Sequence, residues 1–377
     1  MTQTKVEAPF VENNRPFRNL VINGDMQIAQ RATSATTAVN NTYNTVDRWK
    51  PVFSMDGAFT MAQSALSAAD IATTGHQYAL DIQCSTADTS IAAGQYAWVA
   101  HLVEANNCRD SFYGSDNAKS LTISFWVKSN LTGTTCGMVA KEDTTYHQAP
   151  FEFTINSANT WEHKTVTIPA NAAIKSSAGV IAYNIGVGLY LAFHLAIGGN
   201  YDNGTNLAWE TGGASYATTN QLNFLSSTSN DLFITGVQME FGDAKTPFEY
   251  IPSEVQLQRC KRYYQKLTGS YAQYGQICNG HYNGDTQFQG AYSYPVQMRA
   301  GPTLSHTTTS SNNSSSSYAI AVSGTGIDYI DSLVLYNAND HSTLIYTGSG
   351  TASSTGGRGG NLYVQSTITE LALVAEL

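Results

Sequence analysis

Charged residues are scarce in this sequence of 377 residues. Asp, Glu, Lys and Arg together make up 12% of it, which is about half the share usual in globular proteins. The net charge is −9, and the densest group of basic side chains is formed by Arg259, Lys261, Arg262 and Lys266. Because a nucleic-acid-binding protein normally presents a broad basic stripe, we expect no nucleic acid among the partners.

Long apolar runs and paired cysteines are also missing. No stretch reaches the roughly 20 apolar residues that span a bilayer, and residues 1–17 lack the basic-then-apolar pattern of a secretion signal. We therefore expect synthesis in a cytoplasm and no membrane insertion. The cysteines lie singly and are typical of buried reduced thiols; they are Cys84, Cys108, Cys136, Cys260 and Cys278.

Alternating apolar residues are frequent. The clearest run is 121–127, which places Leu121, Ile123, Phe125 and Val127 on one face of a strand. Similar short runs, bounded by turn residues, recur along the chain without intervening helical periods. This spacing predicts an all-β fold of two antiparallel jelly-roll or β-sandwich modules.

A single helical segment separates the two series of predicted strands. Ser253 and Gln256 form a capping-box pattern, and the basic residues that follow favour the C-terminal end of a helix dipole. We predict an N-terminal arm at 1–18, a jelly-roll module at 19–252, a short connector helix at 253–267 and a C-terminal β-sandwich module at 268–377.

Seven short segments occur in a characteristic order. They are Asn19–Gln27, Asp47–Trp49, Thr235–Asp243, Thr246–Tyr250, Arg259–Tyr264, Tyr294–Thr303 and Ala375–Leu377. In these segments the chain resembles bacteriophage tail-fibre and related virion proteins that contain a carbohydrate-binding-type jelly roll. The resemblance covers residues 19–377 and leaves out the arm.

The resemblance implies a structural virion protein of a tailed phage, made in the host cytoplasm. Such a protein would be a tail-fibre or capsid-attached subunit, bound to other virion proteins through its N-terminal arm. Jelly rolls of this kind often carry a structural calcium ion, and the nearest matches to its ligands are Asn23, Asp25 and Asp243. No other cofactor is expected.

Exposed aromatic rings would serve a glycan contact, because they stack on sugar rings. Trp209 lies in the Gly- and Asn-rich segment 198–220 together with Tyr201 and Tyr216. Trp126 lies on the face of its strand opposite Phe125. We predict these four residues as contacts to a host-surface glycan.

Catalytic patterns are not evident. The acidic residues form no convincing pair for glycoside hydrolysis, and no Gly-x-Ser-x-Gly turn precedes a helix. We predict that the chain is not an enzyme. The alternatives from other classes are a polysaccharide-degrading enzyme and a lectin-like carbohydrate-binding module.

The last predicted strand, 368–374, is apolar almost throughout. An exposed apolar edge strand favours association with other chains. The sequence therefore predicts a homo-oligomer, with a homotrimer as the expected form.

Overall fold

The computed structural model describes residues 16–267, 275–284, 286–306, 317–322, 326–330, 332–347, 356–364 and 371–377. The chain divides into an N-terminal unit, which ends at Gln256 and includes Leu377, and a C-terminal unit from Leu257 to Glu376. Both are built from antiparallel strands. The predicted all-β class is therefore confirmed.

The N-terminal unit contains twelve strands in its described part. They are β1 Thr36–Thr37, β2 Trp49–Ser54, β3 Ala58–Ala65, β4 Tyr78–Thr86, β5 Tyr96–Glu104, β6 Leu121–Ser129, β7 Gly133–Lys141, β8 His147–Ile155, β9 Glu162–Ile168, β10 Val187–Ile197, β11 Glu210–Thr211 and β12 Asp231–Phe241. Two short helices interrupt them, α1 Ala68–Thr74 and α2 Ala172–Lys175. Single 3-10 turns lie at Ala105–Ser111, Ser177–Gly179 and Phe224–Ser226.

These strands form two six-stranded antiparallel sheets. Sheet 1 has the order β1-β3-β4-β12-β6-β9, and sheet 2 has the order β11-β8-β7-β10-β5-β2. Their inner faces share one hydrophobic core, as expected of a sandwich. At its centre the Phe125 ring of sheet 1 lies 4.8 Å from the Phe193 ring and 5.0 Å from the Phe153 ring of sheet 2. The four residues predicted to share the inner face of β6 are all fully buried.

Residues 21–25 form a buried turn, although the apolar run Leu20–Ile22 is typical of a strand. The Asn23 backbone has a φ of 61°, which ends any extended conformation. Its side chain donates to the carbonyls of Ile28 (2.8 Å) and Asp47 (2.9 Å), and its Oδ1 accepts from the Ile28 N–H (2.9 Å). Gly24 is required beside it, since a Cβ there would lie 2.0 Å from the Val237 carbonyl oxygen.

The C-terminal unit contains ten described strands. They are β13 Tyr264–Lys266, β14 Gln276–Asn283, β15 Gln287–Ser293, β16 Thr303–His306, β17 Tyr318–Val322, β18 Gly326–Ile330, β19 Leu333–Tyr336, β20 Ser342–Thr347, β21 Gly359–Val364 and β22 Leu371–Val374. They form a sheet β13-β22-β16 and a sheet β18-β17-β21-β14-β15-β20-β19. One apolar cluster draws on both sheets, which gives a sandwich-like unit.

The predicted helix at 253–267 is shorter than expected. It is α3, Ser253–Lys261, because Tyr264–Lys266 pair with β22 as a strand. The two units divide inside α3, between Gln256 and Leu257, and not at residue 252. A role for α3 as a connector stays a prediction.

The predicted N-terminal arm is described only at its last residues. Residues 1–15 of the predicted arm lie outside the described part. Phe17 and Arg18 belong to the N-terminal unit, where the Phe17 N–H donates to Glu249 Oε1 (2.5 Å) and Arg18 Nε to Thr246 Oγ1 (2.6 Å).

β22 lies between β13 and β16 and is not an edge strand. Leu371, Ala372 and Leu373 are fully buried within their own chain. The argument from an exposed edge to a homotrimer therefore loses its basis, and the homotrimer stays a prediction.

Among the helices in the described ranges, none is long and apolar enough to cross a membrane.

We predict that Asn23→Ala lowers the free energy of unfolding of the N-terminal unit by about 3 kcal/mol, because it leaves buried backbone groups without partners. Asn41→Ala is the matched control, since Asn41 has a similar φ of 56° and is exposed; it should cost about 1 kcal/mol. Urea unfolding followed by tryptophan fluorescence measures this unit alone, because all five tryptophans lie in it. Equal losses in the two variants would contradict the role of the Asn23 side chain.

Candidate functional site

The outer face of sheet 2 carries a second apolar cluster, whose central side chains are buried. On β5, Trp98, Ala100 and Leu102 point away from the core, because Ala97, Val99 and Val103 occupy the inner face. Strand β10 continues this face in register: Leu102 pairs with Tyr190, Ala100 with Ala192 and Trp98 with His194. Because apolar residues occupy both faces of β5 and β10, the sequences of these strands are nearly continuous apolar runs.

Four aromatic side chains meet on this face, and we call them the aromatic cluster: Tyr96, Trp98, Tyr201 and Tyr216. Tyr96 stacks on Trp98 with a ring separation of 4.7 Å, and Tyr201 stacks on Tyr216 at 5.1 Å. The two pairs meet edge to face, at 5.5 Å between Trp98 and Tyr216 and at 5.6 Å between Tyr96 and Tyr201. The three tyrosines are half-buried, so solvent reaches part of each ring.

The segment 198–220 carries Tyr201 and Tyr216 onto the sheet. Its two ends are joined by backbone hydrogen bonds from the Tyr216 and Ala217 N–H groups to the Tyr201 carbonyl (2.9 and 3.0 Å). Glu152 on β8 anchors the segment by accepting from Thr218 Oγ1 (2.5 Å) and Asn220 Nδ2 (3.0 Å). The tyrosines are therefore held by the fold and do not extend freely into solvent.

Polar groups without partners lie on the same face. Both ring nitrogens of His194, and both the amide oxygen and nitrogen of Gln148, have no hydrogen-bond partner among the described residues. Burial lowers the pKa of His194 to about 3, so its imidazole is neutral near pH 7. Such buried unpaired groups cost stability.

Tyr190 and Lys50 lie beside the aromatic cluster. Trp98 Nε1 donates to Tyr190 Oη at 2.5 Å, which fixes the indole against the sheet. Burial, with a contribution from neighbouring Tyr201, raises the pKa of Tyr216, so its hydroxyl stays protonated and can donate. Lys50 Nζ donates to the backbone carbonyl of Leu377 (3.1 Å), and Leu377 packs against this face.

The four predicted glycan contacts are not all brought together. Tyr201 and Tyr216 lie in the aromatic cluster. Trp209 does not, because its side chain is 2% exposed and packs in the core against Tyr113 at 5.6 Å. Trp126 lies on the outer face of sheet 1, where its ring is 5.0 Å from His163. Sequence reasoning did not single out Tyr96, although it begins the alternating run of β5.

The three predicted calcium ligands do not share one place. The Asn23 side chain is committed to the turn described above. Asp243 follows β12 and is exposed. The turn at Asn23 contacts β12 at Val237, whose N–H donates to the Gly24 carbonyl. From Val237 the strand runs four more residues, roughly 13 Å, before it ends at Phe241. In the described residues no group of three His, Cys, Asp or Glu side chains could hold a metal ion. Calcium binding stays a prediction without a common ligand set.

Asp25 is a buried carboxyl, 5% exposed. Burial raises its pKa from 3.8 to about 6, against the opposing effect of its hydrogen bonds with the Asp25 and Gln27 backbone. The folded state therefore holds this proton more tightly than the unfolded chain does.

Comparisons with known proteins give a limited result. No family model and no curated protein matches the chain. Among solved structures it is similar to the family 11 carbohydrate-binding module of the cellulosomal cellulase Lic26A-Cel5E of Clostridium thermocellum (11% identity, TM-score 0.28, 57% of this chain and 98% of that one). It is also similar to the CBM22-1 xylan-binding domain of Paenibacillus barcinonensis Xyn10C (10%, 0.25, 58% and 100%).

The CBM22-1-CBM22-2 tandem domain of the same Paenibacillus protein is 8% identical, with a TM-score of 0.25, over 93% of this chain and 100% of that one. These structural neighbours are thus carbohydrate-binding modules. At such TM-scores the similarities carry no argument about function, which must come from the geometry of the site.

We predict that Asp25 makes the stability of the N-terminal unit fall as the pH rises. Between the unfolded pKa near 3.8 and the folded pKa of about 6, the folded state holds a proton that the unfolded state has released. Stability should therefore fall by about 2 kcal/mol between pH 4.5 and 7 relative to Asp25→Asn. The measurement is urea unfolding of both proteins in the presence of a chelator.

Parallel pH profiles of the two proteins would contradict this prediction. Replacing the chelator with calcium chloride tests the calcium prediction in the same experiment. A bound ion would hold Asp25 ionised and raise stability at pH 7 in the wild type more than in the variant.

Proposed function

We propose that the chain is a non-catalytic protein whose N-terminal unit contacts glycans through the aromatic cluster on the outer face of sheet 2. The observation that carries this proposal is the combination of half-exposed tyrosine rings with buried, unpartnered polar groups on one face. Glycan recognition uses the same combination, because sugars offer apolar ring faces for stacking and hydroxyls for hydrogen bonds.

The arrangement of the cluster suits an extended chain of sugars better than a single small molecule. Tyr96, Tyr201 and Tyr216 are each half-buried, and their rings contact one another or Trp98. His194 and Gln148 lie deeper, so a sugar hydroxyl that reached either group would satisfy a buried donor or acceptor. The apolar floor of Ala100 and Ala192 presents no competing polar group.

No catalytic step is part of this proposal. The carboxylate of Glu152 is engaged by Thr218 and Asn220, and its role is to hold the segment that carries Tyr216. A hydrolase would need a second carboxyl at a fixed separation with a raised pKa.

The finer proposal is that this glycan contact belongs to a subunit of a tailed phage, in a tail fibre or a capsid-attached appendage. It is supported by the sequence resemblance along residues 19–377. In it, residues 1–18 bind other virion proteins, three copies associate, and the glycan lies on the host surface. Sedimentation equilibrium of the full chain tests the association: a trimer is expected, and a monomer would contradict that part.

We predict that Tyr216→Ala and Tyr201→Ala each weaken glycan binding by about fivefold to tenfold, because each removes one stacking surface. The matched control is Tyr183→Ala, since Tyr183 is 43% exposed and lies outside the cluster. Binding is measured by affinity electrophoresis in gels containing a soluble mixed-linkage β-glucan, a xylan, a galactan or a bacterial surface polysaccharide.

Failure to bind any of these polysaccharides would contradict the glycan proposal. Equal weakening by Tyr183→Ala would remove the assignment to the cluster. Release of new reducing ends from a retarding polysaccharide would favour the enzyme, and their absence during long incubation is expected.

A further inference from the structure

A concave feature lies on the outer face of sheet 1, away from the aromatic cluster. It is a pocket of about 260 Å³ between strands β6, β9 and β12 and the segment that follows β12. Its chemistry is set by Trp126, His163, Lys245, His76, Phe248 and Ser124. The volume is below the range of sites for drug-sized ligands and corresponds to about nine water molecules, which suits one sugar ring.

A bulge in β12 creates the pocket. The register between β12 and β6 shifts between Thr235 and Gln238, and Gly236 within the bulge has a φ of 59°. A Cβ on Gly236 would lie 2.2 Å from His76 Nε2. Glycine is therefore needed both for the backbone conformation and for the close approach of the imidazole.

His76 forms a buried polar wall of the pocket. Its side chain is 2% exposed, and its Nδ1 has no hydrogen-bond partner among the described residues. The ring is fixed edge to face against Phe248 at 4.7 Å and stacked with Tyr250 at 5.6 Å. Burial lowers the pKa of His76 to about 4, so the neutral ring can offer one donor and one acceptor.

Lys245 makes the pocket electropositive. Its ammonium lies 3.3 Å from His163 Nδ1, and since an ammonium can only donate, His163 accepts there and carries its proton on Nε2. Burial and the nearby Lys245 lower the pKa of His163, which keeps this imidazole neutral. None of the described residues that line the pocket is acidic. An anionic group is therefore favoured over a cation.

Trp126 adds a stacking surface beside this positive charge. Its indole lies on the outer face of β6, directly across from His163 in the β6–β9 register. Ser124 lies two residues before Trp126 in β6, so its hydroxyl is on the same face of the strand. An aromatic ring, neutral donors and a single ammonium within one small pocket match a pyranose ring with a carboxylate substituent.

We propose that this pocket binds one acidic sugar residue of the uronate type, with the sugar ring on Trp126 and the carboxylate at Lys245. The site is separate from the aromatic cluster in both position and ligand class. It does not depend on the glycan proposal for sheet 2.

The test uses the full chain labelled with 5-fluorotryptophan, whose five tryptophans give five fluorine NMR signals. Trp126→Phe identifies the signal of the pocket. Titration with D-glucuronate should shift that signal, with D-glucose binding about tenfold more weakly and acetate causing no such shift. These three probes separate an acidic sugar from a neutral sugar and from a simple anion.

Lys245→Gln should raise the Kd for glucuronate by about fivefold to tenfold at low ionic strength, because it removes the charge-assisted contact. Lys175→Gln is the charge-matched control, since Lys175 ends α2 and does not line the pocket. Tyr216→Ala should leave the Trp126 response unchanged, so a failure of the aromatic cluster and a failure of this pocket are distinguishable.

Three results would overturn the proposal. The first is no movement of the Trp126 signal with glucuronate. The second is equal affinity for glucose and glucuronate, or an acetate response that matches that of glucuronate. The third is an equal effect of Lys245→Gln and Lys175→Gln.

Discussion

The contact of Phe125 with Phe193 and Phe153 joins the two sheets of the N-terminal unit, and the orientation of the other side chains of β6, β8 and β10 follows from it. Because side chains alternate along a strand, fixing one face of β6, β8 and β10 in a shared core sends the intervening residues outward. The inner faces are filled by apolar side chains in close contact. Recognition chemistry is therefore confined to the two outer faces and to the segments that cover them.

Each of the two outer faces is covered by a different segment of the chain. Segment 198–220 folds over sheet 2 and brings tyrosines against Trp98. The segment after β12 folds over sheet 1, where the Thr246 N–H donates to Glu240 Oε1 (2.8 Å) and the Glu249 N–H to Gln238 Oε1 (2.9 Å). In each case a side chain of the sheet accepts from the covering segment. These hydrogen bonds hold a covering segment on each sheet, so that the outer face is no longer flat.

A few of the charged residues of the chain lie buried inside it. Arg48 is fully buried and donates to the Leu102 carbonyl at 2.8 Å, and Lys141 is fully buried with its ammonium 3.1 Å from the Val180 carbonyl. Buried cations are stable when backbone oxygens replace their water. The low charge content therefore does not mean that charge is unimportant, since these buried cations hold backbone carbonyls of separate segments.

The sequence by itself determined that the chain is built from antiparallel strands and, for β6, which residues face inward. The alternation at 121–127 sufficed for this, because burial on one face follows directly from a period of two. Ambiguity arose where local pattern and geometry diverge: Leu20–Ile22 is apolar like a strand, yet the Asn23 hydrogen bonds turn the backbone. Strand β22 is apolar like an exposed edge, yet it is central in its sheet.

Only the tertiary structure decided which side chains meet. Trp209 and Tyr216 lie seven residues apart in one polar segment, but one indole lies in the core and the other ring lies in the aromatic cluster. His76, Trp126 and Lys245 are far apart in sequence and line one pocket because of strand order and a bulge at Gly236. Periodicity specifies the face of a residue, whereas its neighbours depend on long-range register and on how covering segments fold, which no local pattern encodes.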